Sequence, residues 1–489
     1  MTNNNSYIIL PFNFIRFRHD LVLMVNMVGE HLFLQEADFK NMVGHELNRK
    51  SDVYLRLKAK HFVTETISDP AIDLLAIKFR TKNDFLSHFT SLHMLEVTRR
   101  CNQKCVYCQA SSLDPDKSGY DMSTEIAQKA VDMILMSPAK HIKIEFQGGE
   151  PLLNFETVKY VIDYVAKQAT SREKKIEFVV CTNLTIATDE MLKYFADNNV
   201  LVSTSLDGPR DVHNSCRMYR DGTDTYDDVT RSLDKARKYL GSSKISALMT
   251  TSRYNLPYPK EIIEEYIRNG FSSIFLRPLN PFGYAKQRMR EIGCGPSDFV
   301  AFFKAVLECV IDANLKGNYI EESFTSLLLT RILTPFSTGF VDLQFPAGTG
   351  ISGAMYGYDG NVFLSDESRM LANTGDFSFC LGNVNKHSYR DIFYNGKIID
   401  IIGSSCAELL PGCSDCAFQV YCGIDPVRNY ATQNDPTGHR PSNEMCLINK
   451  GIFKHLFEII LEHDPNRMDV FWSWMTGRSL SEIRTNDRC

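Results

Sequence analysis

Three cysteines, Cys101, Cys105 and Cys108, share the short stretch CNQKCVYC. Three thiolates on one loop can ligate three irons of a [4Fe–4S] cube, which leaves the fourth iron open to a small chelating ligand. Zinc is the alternative, but no further Cys or His lies between Cys108 and His141, so a closed zinc site fits this spacing poorly. The loop therefore indicates an iron–sulfur centre with one open position.

A second group of cysteines lies near the C-terminus, in the stretch PGCSDCAFQVYCGIDP. Cys413, Cys416 and Cys422 are one thiol short of the four ligands that zinc or an iron–sulfur cluster usually takes. The chain has 14 cysteines, and its N-terminus shows no signal-peptide pattern. Clustered thiols in such a chain indicate metal or redox chemistry and not a disulfide framework.

The composition indicates a folded cytoplasmic protein with several domains. The 489 residues exceed what one core usually holds, and 44% hydrophobic with 23% charged residues is ordinary for a globular chain. The net charge of −5 argues against a general nucleic-acid-binding function. No run approaches the length of apolar sequence that a membrane span needs, so no membrane association is expected.

The first cysteine loop follows the first of six predicted strands in an α/β region at residues 91–285. Helical patterns separate most of these strands, for example at 123–136, where Ser123 is the expected N-cap. This alternation predicts a parallel α/β barrel or an open partial barrel, with its chemistry at the C-terminal ends of the strands. The predicted strands cover residues 92–98, 141–147, 175–183, 200–207, 244–251 and 272–279.

Four further units flank this region. The first contains two predicted strands joined around residues 28–30, followed by two helices, the second of them capped by Ser51 or Asp52. This is the outline of a small winged-helix-like peptide-binding module, and a packing extension of the main domain is the alternative. A hairpin is expected around Asp359 and Gly360. The units are an α+β module at 1–90, a helical linker at 286–345, a cysteine-rich domain at 346–450 and a helical tail at 451–489.

Two motifs of the α/β region resemble the radical S-adenosylmethionine (SAM) superfamily. The loop C-x3-C-x2-C, with Tyr107 before its last cysteine, is similar to the cluster loop of these enzymes, and FQGGEP at 146–151 is similar to their Gly-Gly-Glu-Pro motif. The resemblance implies a partial (β/α)6 barrel and a [4Fe–4S] cluster whose open iron binds SAM. It also implies reductive cleavage of SAM to a 5′-deoxyadenosyl radical, which abstracts hydrogen from the substrate.

The same resemblance implies which residues contact SAM. Gly148 and Gly149 would let the backbone approach SAM closely, and Glu150 would accept its ammonium group. Ser205 and Asp207 are expected at the ribose or the amino-acid part of SAM, and an arginine at its carboxylate. The predicted cofactor-binding residues are Tyr107, Gly148, Gly149, Glu150, Pro151, Asn183, Ser205, Asp207 and Arg217.

The second cysteine group resembles the C-terminal domain of the SPASM subgroup of radical SAM enzymes, which mostly modify peptides and proteins. The resemblance adds a fourth cysteine and implies one auxiliary [4Fe–4S] cluster, with a structural zinc on the same thiols as the alternative. The ligands that it implies are Cys413, Cys416, Cys422 and Cys446.

A full SPASM domain holds a second auxiliary cluster, for which this chain lacks ligands. Pro426 stands four residues after Cys422, where the subgroup has a cysteine, and Ser365 stands near another such position. Cys380 or Cys406 could replace a missing ligand. The expected total is nevertheless two clusters, one of them auxiliary.

Longer stretches, among them LRLKAKHF and GYDGNVFLSDESRML, resemble the radical SAM maturases of His-Xaa-Ser peptide systems. That resemblance implies a ribosomally made precursor peptide or small protein as substrate, a second maturase as a partner, and a reductant such as flavodoxin or ferredoxin. Radical SAM chemistry on RNA or a small metabolite is the alternative, and a zinc-binding peptide adaptor is the non-enzymatic one. No catalytic residue beyond the cofactor sites is predicted.

Overall fold

The computed structural model describes residues 7–67, 70–169 and 173–486, so the ends of the predicted N-terminal module and C-terminal tail lie outside the described residues. The N-terminal module has a three-stranded antiparallel sheet in the order β2-β3-β4, and β1 pairs separately with β5. Its elements are β1 (Ile8–Ile9), β2 (Phe12–Arg18), β3 (Leu21–Asn26), β4 (His31–Gln35), α1 (Glu36–Val43), α2 (Asp52–Ala59), β5 (Val63–Thr64) and α3 (Pro70–Lys82).

The predictions for this module are confirmed in part. The two strands around residues 28–30 are β3 and β4, and the Ser51 hydroxyl caps α2 by accepting the Tyr54 N–H at 3.2 Å. The sequence analysis did not predict β2 or α3. The module has its own hydrophobic core, but the Tyr421 hydroxyl donates to the Gly29 carbonyl at 2.6 Å and ties it to the cysteine-rich domain.

Alternating strands and helices build the centre of the molecule, as predicted. The six predicted strands are β6 to β11, and the Ser123 hydroxyl caps α4 by accepting the Ile126 N–H at 3.3 Å. The elements are β6 (Leu92–Thr98), α4 (Thr124–Ile134), β7 (His141–Gly148), α5 (Phe155–Ala169), β8 (Lys175–Cys181), α6 (Asp189–Asp197), β9 (Leu201–Ser205), α7 (Arg210–Cys216), α8 (Tyr226–Leu240), β10 (Ile245–Thr251), α9 (Pro259–Arg268) and β11 (Ser273–Pro278).

The linker and the C-terminal part contain ten further helices among the described residues. They pack mainly through apolar faces, and α11 lies against both α9 and α17. The elements are α10 (Gly283–Ile292), α11 (Pro296–Leu315), β12 (Glu321–Glu322), α12 (Ser323–Leu333), β13 (Gly353–Tyr356), β14 (Asn361–Phe363), α13 (Asp366–Ala372), β15 (Cys380–Asn383), α14 (Tyr389–Phe393), α15 (Gly396–Ser405), α16 (Pro426–Gln433), α17 (Glu444–Glu462), α18 (Pro465–Thr476) and α19 (Leu480–Asn486).

One ten-stranded sheet runs through the central and the cysteine-rich regions, in the order β12-β11-β10-β9-β8-β7-β6-β13-β14-β15. The strands from β12 to β13 are parallel, and β14 and β15 are antiparallel. The predicted hairpin around Gly360 is β13–β14. Because β13 pairs with β6, the predicted boundary near residue 346 does not coincide with a break in the sheet. The parallel α/β architecture is confirmed, and no described helix is long and apolar enough to cross a membrane.

Candidate functional site

A cavity of about 250 Å³ lies at the C-terminal ends of the central strands, where residues of β7 to β11 and of the loop after β6 converge. The three cysteines of the first loop open into it, together with residues that follow β7, β8 and β9. Of the predicted site residues, those that line the cavity are Cys101, Cys105, Tyr107, Cys108, Gly148, Gly149, Asn183, Ser205 and Arg217.

Gly148 and Gly149 are needed because the chain leaving β7 passes directly against the end of β6. A Cβ atom on Gly148 would lie 2.0 Å from the Thr98 carbonyl oxygen, and one on Gly149 would lie 2.2 Å from the Arg100 carbonyl oxygen. Gly148 also has φ = 144°, which residues with a side chain rarely adopt. The glycines are therefore fixed by the protein's own backbone, whether or not SAM also requires their small size.

Glu150 is fully buried and does not line the cavity. Its carboxylate accepts hydrogen bonds from the Thr182 hydroxyl at 2.6 Å, the Asn183 N–H at 2.8 Å and the Leu152 N–H at 3.1 Å. Burial raises the pKa of Glu150 to about 7, although the three donors oppose that shift. Glu150 thus positions Asn183, which faces the cavity, while Pro151 begins the short turn after β7.

Asp207 is also fully buried and is not among the residues that line the cavity, and its contact with SAM stays a prediction. Its Oδ2 accepts the Arg217 Nε–H at 2.8 Å and the Tyr107 hydroxyl, and its Oδ1 accepts the Thr250 N–H at 3.3 Å. The Arg217 guanidinium lies 5.3 Å from the centre of the Tyr107 ring, and its Nη1 lies 3.9 Å from the Cys105 sulfur. Asp207 therefore holds a cation at the cavity wall beside the cysteine loop.

The sequence analysis missed several residues that also line this cavity. Gln103 is buried, and its Nε2 has no hydrogen-bond partner among the described residues. Arg369 and Asp366 come from α13: Arg369 Nη1 lies 2.6 Å from Glu96 Oε1, and its Nε lies 3.0 Å from Asp366 Oδ1. The serine that precedes DESRML could have indicated a helix start, because Ser365 is the N-cap of α13.

The second cysteine set surrounds an enclosed cavity of about 50 Å³. Three of its four cysteines lie on the loop between α15 and α16, and Cys446 lies in the first turn of α17. The Asn443 side chain caps that helix by accepting the Cys446 N–H at 2.9 Å, which fixes Cys446 in the first turn. Asn449 Nδ2 lies 3.4 Å from the Cys422 sulfur. The cysteines that line the cavity are Cys413, Cys416, Cys422 and Cys446.

The positions expected to have lost ligands are occupied by helix starts. Pro426 is the first residue of α16, and Ser365 accepts the Ser368 N–H at 3.3 Å as the cap of α13. Cys380 packs against an apolar cluster, and the Cys406 thiol lies 3.3 Å from Glu408 Oε2. Neither Cys380 nor Cys406 lines either of the two cysteine cavities.

The residues around the two cavities fit the iron–sulfur clusters that the sequence analysis implies. The first cavity joins three thiols to a buried cation and to the unpartnered Nε2 of Gln103, and the second brings four thiols around one small space. Across the described part of the chain, no three His, Cys, Asp or Glu side chains are grouped so that they could hold a single metal ion.

Sequence comparisons with known proteins also indicate the radical SAM superfamily. Residues 95–265 match the Radical SAM superfamily. The chain is 30% identical over 188 residues to an uncharacterized protein of Methanocaldococcus jannaschii, covering 38% of this chain and 62% of the relative. It is 26% identical over 379 residues to a cysteine-type anaerobic sulfatase-maturating enzyme of Clostridium perfringens, covering 75% of this chain and 96% of the relative.

Solved structures show the same fold. Native anSMEcpe with bound AdoMet superposes with a TM-score of 0.62 at 22% identity, covering 78% of this chain and 99% of that chain. Streptococcus suis SuiB bound to precursor peptide SuiA superposes with a TM-score of 0.53 at 12% identity, covering 89% of this chain and 99% of that chain.

Proposed function

Residues 95–265 form a radical SAM domain, and on that premise we propose that this protein modifies a ribosomally made peptide or protein by abstracting hydrogen from it. The observation that carries the proposal is the pair of cysteine sites, one open to a cavity at the strand ends and one enclosed. Relatives and similar folds whose names describe sulfatase maturation or a bound precursor peptide support the substrate class.

Each of the two proposed iron–sulfur clusters has its own set of cysteines. Cys101, Cys105 and Cys108 would hold the first [4Fe–4S] cluster, and the C-terminal set would hold the auxiliary one. Together with SAM, the first cluster supplies a 5′-deoxyadenosyl radical when bound. Arg217 would offer its guanidinium to the carboxylate of SAM, and Asn183 and Ser205 would offer further polar atoms in the same cavity.

The surrounding residues fix these contacts and exclude water. Asp207 and Tyr107 orient Arg217, and Glu150 holds the loop that carries Asn183. A buried ion pair between Arg369 and Glu96 closes the cavity on the side of α13. Rigid support of this kind is what a reaction with an unselective carbon radical requires, because the target carbon must be held in place and solvent kept away.

The proposal includes two clusters and no second auxiliary one. Helix starts occupy the positions of Pro426 and Ser365, and neither Cys380 nor Cys406 lies at a cysteine cavity. Two cubes of four irons give about eight irons per chain. About twelve irons would contradict this part of the proposal.

The N-terminal module is proposed to recognise the precursor peptide. Its helix α3 exposes Leu74 at 46% and Ile77 at 55%, and Phe14 on β2 is 52% exposed. Within the described residues β2 is an edge strand, so its outer backbone groups can pair with an extended peptide. A peptide with His-Xaa-Ser repeats is the proposed substrate type, with a second maturase and a flavodoxin or ferredoxin as further partners.

Co-expression with a His-Xaa-Ser precursor peptide, followed by high-resolution mass spectrometry, tests the proposed function. Cross-linking or desaturation removes two hydrogens from the peptide, and tandem spectra locate the change. Because epimerisation leaves the mass unchanged, chiral analysis of the hydrolysed peptide completes the test. An unmodified peptide by both methods, from cells in which the protein carries its clusters, would contradict the proposal for this peptide type.

A further inference from the structure

Two buried arginines flank the second cysteine site. Arg440 is 8% exposed and lines the cavity of about 50 Å³ beside the four cysteines. Arg331 is 3% exposed, and its Nε and Nη2 donate to the Tyr421 and Val420 carbonyls at 3.0 and 2.9 Å. These two carbonyls belong to the residues directly before Cys422. Both guanidinium groups therefore lie at the second cysteine site, Arg440 in the cavity wall and Arg331 behind the loop that carries Cys422.

The hydrogen bonds of these two arginines go to backbone carbonyls, and neither arginine forms an ion pair with any residue that the structure describes. Arg440 donates to the Thr437 carbonyl, and its Nε has no hydrogen-bond partner in the described part of the chain. The Arg331 carbonyl accepts the Nζ–H of Lys82 at 2.8 Å, and Lys82 is itself buried, so a further positive charge lies behind Arg331. An unpaired cation is costly to bury, so these side chains indicate a negative group that the carboxylates of the chain do not supply.

The other charged groups around this cavity do not offset the two arginines. Arg428 and Asp425 also line the cavity and leave no net charge between them. Lys450 lines it as well, but its side chain is exposed to solvent. Asp415 and Glu444 stand near the cysteines in the sequence, but both are exposed, so solvent screens their charge. Among the described residues, the cysteine thiols are therefore the groups left to balance the two buried arginines.

We propose that Arg331 and Arg440 raise the reduction potential of the auxiliary iron–sulfur cluster. The proposal rests on the proposed function, which assigns a [4Fe–4S] cluster to the four C-terminal cysteines. Such a cluster is negatively charged, because four thiolates outweigh the charge of the iron–sulfide core, and reduction adds one more negative charge. A nearby cation therefore stabilises the reduced state more than the oxidised state. Burial strengthens this effect, because little water screens the two charges from each other.

A purely structural role is the competing explanation. Arg331 donates two hydrogen bonds to the loop before Cys422, and these bonds hold the loop whatever the charge of the side chain. Arg440 separates the two roles better, because its Nε has no partner to lose. A structural role depends on hydrogen bonding, whereas an electrostatic role depends on charge and burial. The experiment therefore varies charge and hydrogen bonding separately.

The parent protein for the test is the full chain with the three cysteines of the first loop replaced by alanine, so that the auxiliary cluster alone gives a signal. Arg440→Gln removes the charge, and Arg440→Lys keeps it while changing the hydrogen bonding. Lys450→Gln is the matched control, because it removes an equal charge from the same cavity wall, but from a side chain that solvent already screens. Arg331→Gln tests the second arginine and carries the test alone if Arg440→Gln takes up no cluster. An anaerobic redox titration followed by electron paramagnetic resonance measures the midpoint potential; dithionite supplies the single electron, and no bond forms or breaks.

We expect Arg440→Gln to lower the equilibrium constant for cluster reduction about tenfold, which lowers the midpoint potential of a one-electron couple by about 59 mV. Arg331→Gln should lower the potential as well, whereas Arg440→Lys and Lys450→Gln should stay close to the parent protein. Equal potentials in Arg440→Gln and Lys450→Gln would overturn the proposal. A fall in Arg440→Lys as large as that in Arg440→Gln would also overturn it, because hydrogen bonding and not charge would then set the potential. A parent protein that holds zinc and no iron would contradict the proposed auxiliary cluster itself, whereas iron-loaded variants with one common potential would contradict this inference alone.

Discussion

The two cysteine sites of this protein differ in what lies beside the sulfur atoms. At the first site, three thiols open into a cavity of about 250 Å³ that glycine backbone, amides, hydroxyls and a buried arginine complete. At the second site, four thiols surround about 50 Å³, with Phe418 and Phe453 in the wall. On the proposed function, the first site takes up an exchangeable ligand and the second holds a cluster permanently, so that cysteine would serve two purposes in one chain.

The largest effect is expected when one cysteine is substituted at each of the two sites in turn. Cys105→Ala should abolish formation of 5′-deoxyadenosine from SAM, because it removes a ligand of the open site. Cys422→Ala should lower the iron content from about eight to about four per chain, yet leave reductive SAM cleavage in place. Iron analysis and chromatography of the nucleoside products check both variants. Loss of SAM cleavage in Cys422→Ala with an intact first cluster would contradict the division of roles.

A smaller effect is expected from breaking the buried ion pair between Asp207 and Arg217 at the first cysteine site. Asp207→Asn leaves the Arg217 guanidinium buried without its charge partner, which should lower the free energy of unfolding by about 3 kcal/mol and weaken SAM binding. Chemical denaturation and equilibrium binding of SAM measure the two effects. Asp227→Asn is the matched control, because it breaks an exposed ion pair with Arg210 that solvent already screens. Equal effects in both variants would show that burial of the first pair is unimportant.

The close backbone contact between Gly149 and Arg100, beside the first cysteine site, gives a third test. Gly149→Ala should lower the free energy of unfolding by about 1–3 kcal/mol, since its Cβ would lie 2.2 Å from the Arg100 carbonyl oxygen. Gly403→Ala, in α15, is the control, because a Cβ there meets nothing within 4 Å and alanine favours a helix. Thermal unfolding of the two variants should therefore shift in opposite directions. A Gly149→Ala protein as stable as wild type would show that the backbone can move aside.

The smallest expected effect concerns the missing second auxiliary cluster. Ser365→Cys restores a thiol at the position expected to have lost one, but it also weakens the N-cap of α13 by about 1 kcal/mol. We expect the iron content to stay at about eight, because Pro426 still begins α16 and no cysteine is among the described residues that line the cavity at Ser365. A rise towards twelve irons would show that the second cluster site survives in this chain.

Local patterns predicted much of the fold and the cysteine sites. The six central strands, the caps Ser51 and Ser123 and the hairpin at Gly360 all follow from nearby residues, and the structure confirms them. The four C-terminal cysteines were grouped by resemblance, and they share one cavity. These features depend on the spacing of residue types along the sequence.

Contacts between distant segments could not be predicted in the same way. Asp207 and Glu150 are buried among hydrogen-bond partners from other strands and loops, and the sequence predicted none of these partners. The ion pair between Arg369 and Glu96 joins residues 273 positions apart. The pairing of β13 with β6 likewise depends on the whole fold. Such contacts leave no local pattern, because the energy that selects them is tertiary.

Deuterium transfer tests the central claim most directly. A fully deuterated His-Xaa-Ser precursor peptide is incubated anaerobically with the reconstituted protein, unlabelled SAM and dithionite, and the 5′-deoxyadenosine is analysed by mass spectrometry. The account predicts 5′-deoxyadenosine that carries deuterium from the peptide, and none when Cys105→Ala replaces wild type. Abundant 5′-deoxyadenosine without deuterium would contradict hydrogen abstraction from this peptide.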